Sequence, residues 1–169
     1  MLGNIHNHAM NLNPYGQIVK EEWLRSTSIR KEIQLDSYTI MPNHLHGIVV
    51  IIEEILPLSH MATNRSKAHN DDLVPKGPAR HSLGAFVAGF KSITTKRINA
   101  LRGTPGIPVW QRNYYDHIVR NAQSLEKIRN YIVQNPLRWE ADYYYNRSPD
   151  QPAGCRGDQP VAPTMVQIR

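Results

Sequence analysis

The apolar positions of this chain follow two periods, which predict both helices and strands. Apolar residues three and four positions apart are typical of helices, whereas alternating apolar residues are typical of strands. In chain order the pattern predicts a helix, two strands, a helix, a strand, a helix and a short final helix, over residues 15–26, 33–41, 44–52, 82–101, 109–119, 121–135 and 137–145. Ser82 is expected to cap the second helix, and Pro136 is expected to end the third.

This order of elements predicts an α+β fold. A ferredoxin-like antiparallel sheet with helices on one face has the same order, provided that a strand precedes the first helix. The weak alternation of Met10 and Leu12 is the support for such a strand. The first strand of the sheet is therefore expected to be weak or missing.

Changes in composition divide the chain into one domain and a tail. The domain is expected over residues 1–146, with a flexible insertion at 53–80, where proline, serine, asparagine and mixed charges replace large apolar residues. Residues 147–169 are rich in proline, glycine and glutamine and are expected to be a disordered tail.

Charge and cysteine content exclude some classes of protein. Lysine and arginine number 20 against 14 aspartate and glutamate, a net charge of +6, which fits a polyanionic partner such as nucleic acid without requiring one. The single cysteine, Cys155, excludes a disulfide scaffold and favours a reducing compartment. The longest apolar run, 48–52, is too short to cross a bilayer, and no signal peptide is visible, so a cytoplasmic location is expected.

Two histidines at the start of the second predicted strand are the first candidate site. His44 and His46 flank Leu45 and precede a run of valine and isoleucine. Residues two apart on a strand face the same way, so both imidazoles suit one metal ion. Hydrogen-bonded histidines without a metal are the alternative. His6 and His8 have the same spacing in a polar terminus without a strand pattern, where we expect them merely to be exposed.

The last long helix supplies further candidates. Tyr131, Gln134 and Asn135 lie three and four residues apart and so share one helix face. An amide oxygen is an acceptable ligand for Mg²⁺ or Mn²⁺, and a phenol near such an ion can attack phosphorus. The alternative for Tyr131 is a half-buried tyrosine without a chemical role.

Several segments, in this order along the chain, resemble the single-tyrosine HUH transposases. Within that family the chain is most similar to the REP-associated tyrosine transposases of bacteria. The matching segments are Met-Pro-Asn-His-Leu-His-Gly at 41–47, Ser-Leu-Gly-Ala-Phe-Val-Ala-Gly-Phe-Lys-Ser at 82–92, Trp-Gln-Arg-Asn-Tyr-Tyr-Asp-His-Ile-Val-Arg at 110–120 and Ile-Arg-Asn-Tyr-Ile-Val-Gln-Asn-Pro-Leu-Arg-Trp at 128–139. The resemblance extends over residues 10–143, apart from the variable insertion.

The resemblance implies a role for each matching residue. His44 and His46 match the metal ligands, Tyr131 matches the nucleophile, and Asn135 matches the polar residue that completes the site for Mg²⁺ or Mn²⁺. Members of the family have a ferredoxin-like core and cut single-stranded DNA at or beside short hairpins. Their tyrosine becomes joined to the 5′ phosphate, which permits strand transfer, DNA transposition and recombination. A bacterial, nucleoid-associated monomer or homodimer is implied.

The remaining candidates concern DNA contacts. Basic and aromatic residues in or near the matching segments are expected to contact phosphates or bases, although solvated charges and core packing are the alternatives: Lys91, Arg97, Arg112, Tyr114 and Arg120. Asp116 and His117 match the family without an assignable role.

Two competing functions remain open. Family members usually carry another strand upstream of the segment at 10–15, so a truncated, less stable, non-catalytic protein that binds hairpin DNA is the first alternative. An RNA-binding ferredoxin-like protein is the second, which the lack of an RNP-type aromatic motif disfavours.

Overall fold

A computed structural model of the chain describes residues 1–52, 77–141 and 165–168. In order, its elements are strands β1 (Gly3–His6) and β2 (Ala9–Leu12), helix α1 (Pro14–Ile29), strands β3 (Ile33–Ile40) and β4 (Leu45–Ile51), helix α2 (Leu83–Arg102), strand β5 (Asp116–Val119), helix α3 (Ala122–Gln134), a 3₁₀ helix (Asn135–Ala141) and strand β6 (Met165–Ile168). The predicted α+β class is confirmed. No helix in the described ranges is long and apolar enough to cross a membrane.

The larger sheet has the strand order β3-β4-β6-β5. β3 and β4 form the predicted antiparallel pair, with Ile33 opposite Ile51 and Ile40 opposite Leu45. β6 lies between β4 and β5 and runs parallel to both, which the antiparallel prediction did not include.

β6 also corrects the prediction for the tail. Met165–Ile168 form a strand where we expected disorder, because their backbone groups can pair with a strand on each side. The rest of the tail beyond residue 146 lies outside the described residues, as do residues 53–76 of the expected insertion.

Two helices cover one face of the sheet, and the third lies on the other. Trp23 of α1 and Phe86 of α2 pack in one core cluster with Leu45 and Val49 of β4. A Cβ atom at Gly47 would overlap the Trp23 ring, so only glycine lets the indole lie this close to β4. The prediction of helices on one face therefore holds for α1 and α2 only.

The ends of the helices follow local rules that the sequence carries. The side chain of Asn13 accepts hydrogen bonds from the backbone of Tyr15 and Gly16 at 3.0 Å and so begins α1. Ser82 caps α2 as predicted, and Gly103, with φ of 66°, ends it.

The predicted strand at 109–119 is wrong in its first part. Only Asp116–Val119 is β5, because the preceding residues cross α2. There the Trp110 indole donates to the Thr94 hydroxyl at 2.8 Å, and the Lys91 ammonium donates to the backbone carbonyls of Gln111 and Asn113.

The N-terminal residues form a separate hairpin. β2 confirms the strand expected at Met10, but it pairs with β1 in a two-stranded sheet. His6 ends β1, so the expectation that this histidine lacks a strand is wrong. The backbone N–H of Leu2 donates to the Pro42 carbonyl at 2.6 Å, which ties the hairpin to the turn between β3 and β4.

α3 has little apolar anchorage. Only Ile132 is buried on this helix, and Leu125 and Ile128 are half-buried, because one side of α3 faces solvent. Arg129 compensates with two hydrogen bonds to the Asp36 carboxylate of β3, at 3.1 and 2.5 Å. The short final helix exists as the 3₁₀ helix, which begins before the predicted start.

Candidate functional site

The two histidines of the first candidate site lie side by side. Side chains alternate along β4, so His46 faces away from the α1–α2 core and toward α3. The Nε2 atoms of His44 and His46 are 3.0 Å apart, and the two rings are nearly perpendicular. Two ligands at about 2.1 Å from one ion and at right angles to each other are separated by about the same distance. The pair therefore has the spacing of adjacent ligands in an octahedral site.

The partners of His44 set its protonation. The amide oxygen of Asn43 lies 2.6 Å from His44 Nδ1 and can only accept, so Nδ1 carries the proton and the Nε2 lone pair faces His46. Burial lowers the pKa of His44 to about 4. The imidazole is therefore neutral at physiological pH, which is the form that binds a metal ion.

Asn135 follows directly on α3 and presents an unsatisfied acceptor. It is only 3% exposed, and its Oδ1 atom has no hydrogen-bond partner in the described part of the chain. A buried oxygen without a partner costs about 1–3 kcal/mol, and a cation would remove that cost. No group of three or more histidine, cysteine, aspartate and glutamate side chains occurs among the described residues.

Contacts on either side of Asn135 bring its helix to the histidines. Four residues before it, the Tyr131 ring lies 5.2 Å from the His46 ring at 78°. Four residues after it, the Trp139 ring lies 6.1 Å from the His44 ring. Tyr131 is half exposed, so a substrate can reach its phenol.

The structure thus places His44, His46 and Tyr131 in contact with one another, and Asn135 directly follows the helix that carries Tyr131. Gln134, the third candidate on this helix, is exposed and accepts a hydrogen bond from Arg138 instead.

The expected DNA contacts do not form one surface. Lys91 and Arg112 line a groove of about 910 Å³ beside α2, together with Lys96. The Lys91 ammonium is occupied by backbone carbonyls, and burial lowers its pKa. Arg120 is exposed near β5.

Arg97 and Tyr114 have structural partners. Arg97 forms ion pairs with Glu21 and Glu22 of α1, each at 2.7 Å, and these hydrogen bonds raise its pKa. Tyr114 packs against the core, and burial raises the pKa of its phenol.

Sequence reasoning missed the residues that support the site. Asn43 and Trp139 lie within the matching segments, and their places beside the histidines could have been suspected on that ground. Asp36 has no sequence signal, because its partner Arg129 lies 93 residues away in the chain; Asp36 falls where the register of β3 shifts between Leu35 and Tyr38.

A comparison with known proteins finds a relative in Haemophilus influenzae. That protein is described as uncharacterized, and it is 37% identical to this chain over 150 residues, which cover 86% of this chain and 77% of the relative. No protein-family model matches the chain. No solved structure matches it either.

Proposed function

We infer the function of this chain from the geometry of its candidate site. The chain belongs to the same family as the uncharacterized Haemophilus influenzae protein, and the description of that relative states no activity that could be compared. We propose a metal-dependent single-stranded DNA endonuclease and strand transferase. It acts at short hairpin DNA through a 5′-phosphotyrosine at Tyr131, as the resemblance to the HUH transposases implies. Such an enzyme would act on the bacterial nucleoid in the cytoplasm.

One observation carries the proposal. A phenol and two imidazoles at ligand spacing meet where α3 crosses β4, and the buried, unsatisfied amide oxygen of Asn135 belongs to the residue that directly follows α3. Packing alone explains the imidazoles and the phenol, but it leaves the Asn135 oxygen without a partner in the part of the chain that the structure describes. A bound cation accounts for all of these groups.

His44, His46 and Asn135 would hold Mg²⁺ or Mn²⁺. The ion would supply charge withdrawal from the scissile phosphate and would orient it. His44 contributes a lone pair that Asn43 has already oriented, and Asn135 contributes a neutral oxygen.

Tyr131 supplies the nucleophile. A phenol has an ordinary pKa of about 10 and is a weak nucleophile at neutral pH, so its placement matters. Its oxygen attacks phosphorus and the P–O3′ bond breaks. The phenol proton passes to solvent, and the released 3′ oxygen takes up a proton. The phosphodiester is exchanged for a phosphotyrosine, so rejoining the strands requires no ATP.

Charge supports a DNA partner. The chain carries a net charge of +6, and Lys96 and Arg112 line the same groove beside α2. Contacts of these side chains with phosphates would make binding weaker at high salt.

A covalent adduct tests the proposal directly. Labelled single-stranded hairpin DNA incubated with Mn²⁺ is expected to give a cleaved product and a slower-migrating protein adduct on a denaturing gel. Tyr131→Phe removes the attacking oxygen, so its adduct should fall below detection. Tyr115→Phe is the matched control, since Tyr115 is similarly exposed and lies outside α3.

An adduct that persists in Tyr131→Phe would contradict the assignment of the nucleophile. Salt-dependent binding by the wild type without any cleavage would support the non-catalytic hairpin-binding alternative instead.

A further inference from the structure

A cavity of about 420 Å³ lies beside the histidine site, on the other side of Pro42 and Trp139. It lies between the turn of the β1–β2 hairpin and the 3₁₀ helix, and its lining includes Asn4, Asn7, His8, Pro136, Leu137 and Glu140. This volume falls in the usual range for small-ligand sites, about 300–1,000 Å³.

The lining suits a flat, uncharged group with hydrogen-bond donors. Leu137, Pro136 and Trp139 provide apolar walls, and Glu140 provides a carboxylate that can only accept. No lysine or arginine occurs among the described residues that line it. The Glu140 carboxylate disfavours an anionic phosphate, whereas a nucleobase would match both the walls and the acceptor.

The backbone of the hairpin turn gives independent support. Asn7 and His8 have φ angles of 50° and 61°, and His6 pairs with Ala9, so the turn is of the type that favours Asn-Gly. His8 occupies the position that glycine would fill without strain. The chain keeps an imidazole there, at the edge of the cavity, against the local preference of the backbone.

The polar groups of the cavity are not used by the fold. Neither the Glu140 carboxylate nor the His8 imidazole forms a hydrogen bond or ion pair with another residue of the described ranges. Both can therefore bind a ligand without breaking an existing contact.

Trp139 connects this cavity to the proposed chemistry. Its ring lies 6.1 Å from the His44 ring and also lines the cavity. A nucleotide next to the phosphate at the histidine site would therefore have its base within reach of the cavity.

We propose that this cavity binds one unpaired base flanking the scissile phosphate and selects bases with an exocyclic amino group, which donate to Glu140. The proposal rests on the proposed function and adds a base-specific subsite to it. Thymine lacks an amino group, and its one donor on this edge, N3–H, lies between two carbonyl oxygens that repel the carboxylate, so it should be disfavoured at that position.

A library of single-stranded hairpin DNA with randomised nucleotides on each side of the stem tests this proposal. After incubation with Mn²⁺, sequencing of the cleaved strands is expected to show thymine depleted about tenfold at one position beside the cut, the discrimination typical of one good contact with a base edge. Glu140→Gln, which adds an amide donor, should reduce that depletion to less than about threefold and leave the preferences at other positions unchanged.

His8→Gly is a second variant, in which stability and base preference are expected to change in opposite directions. Glycine relieves the turn, so the Tm should rise while the base preference weakens. His6→Ala is the matched control, because His6 belongs to the same hairpin and does not line the cavity. Unchanged preferences in both Glu140→Gln and His8→Gly would overturn the proposal. An equal loss of base preference at all positions, accompanied by weaker Mn²⁺ binding, would also overturn the proposal, since that result indicates damage to the fold.

The two proposals can fail separately. If the wild type does not cleave, the same library is selected by filter binding. A base preference that depends on Glu140 would then support the subsite alone, and the absence of any such preference would overturn it together with the nuclease.

Discussion

At the scale of single residues, the polar groups of the candidate site differ in whether they have hydrogen-bond partners within the described part of the protein. His44 and Asn43 satisfy each other, and the two imidazoles can share a proton. Asn135 differs, because its buried Oδ1 has no partner in the described ranges. The proposed cation would remove this local cost.

Replacement of Asn135 should separate stability from metal binding. In Asn135→Leu the unsatisfied oxygen is gone, so the metal-free protein should be as stable as the wild type or more stable by about 1 kcal/mol. Mn²⁺ should raise the Tm of the wild type, because it binds only the folded state, and should have a much smaller effect on the variant. Thermal melts with Mn²⁺ and with EDTA measure both. The same Mn²⁺-induced shift in both proteins would remove Asn135 from the site.

At the scale of secondary structure elements, the position of α3 depends on an ion pair as much as on apolar packing. Ile132 is its only buried residue, whereas Arg129 binds Asp36 of β3. Hydrogen bonds from Arg129, followed by those from Ser37, hold the pKa of Asp36 below its ordinary value. Because Tyr131 is on the same helix, this pair also positions the phenol.

Asp36→Asn should loosen α3 and change the response to acid. The pKa of Asp36 is lowered in the folded state, so its contribution to stability is complete above its ordinary value of 3.8 and is lost as the pH falls through the lower folded value. The difference in unfolding free energy between wild type and Asp36→Asn should therefore shrink below about pH 4. Urea unfolding from pH 2.5 to pH 7 measures it, and cleavage at pH 7 should also slow.

Glu126→Gln is the control for this experiment. Glu126 is exposed and lies 3.7 Å from the same arginine, so its loss should have little effect. An equal effect of both substitutions would mean that Asp36 has no special role in holding α3.

At the scale of the whole molecule, the larger sheet depends on a segment from the far end of the chain. β4 and β5 are joined through β6, which pairs with both. Among the described residues β5 has no other strand beside it. Residues 165–168 therefore connect the β3–β4 hairpin, which carries the histidines, to the strand that leads into α3.

Deletion of residues 165–169 should expose β5. The amides of Asp116–Val119 are expected to lose protection from hydrogen exchange, whereas those that link β3 and β4 should retain it, because that pairing is independent of β6. Hydrogen exchange followed by mass spectrometry measures the two regions separately. Protection of β5 that survives the deletion would contradict the observed strand order.

Local features of the sequence predicted the elements that depend on neighbouring residues. The helical period, the Ser82 cap and the valine-rich strand of the histidines need only nearby positions, and all three are present in the structure. The prediction failed at residues 109–115, where bonds from Lys91 and Trp110 to distant residues override a weak alternation.

By itself the sequence determined the α+β class, the α1, α2 and α3 helices, and which side chains are candidates for a metal site and a nucleophile, because periodicity, capping and side-chain chemistry are local properties. Only the tertiary structure decided that Tyr131 lies against His46, that the Asn135 oxygen has no partner among residues 1–52, 77–141 and 165–168, and that Glu140 and His8 line one cavity. These relations join residues far apart in the chain, and they arise from the packing of α3 on β4 and of the hairpin beside Pro42, which no local pattern encodes.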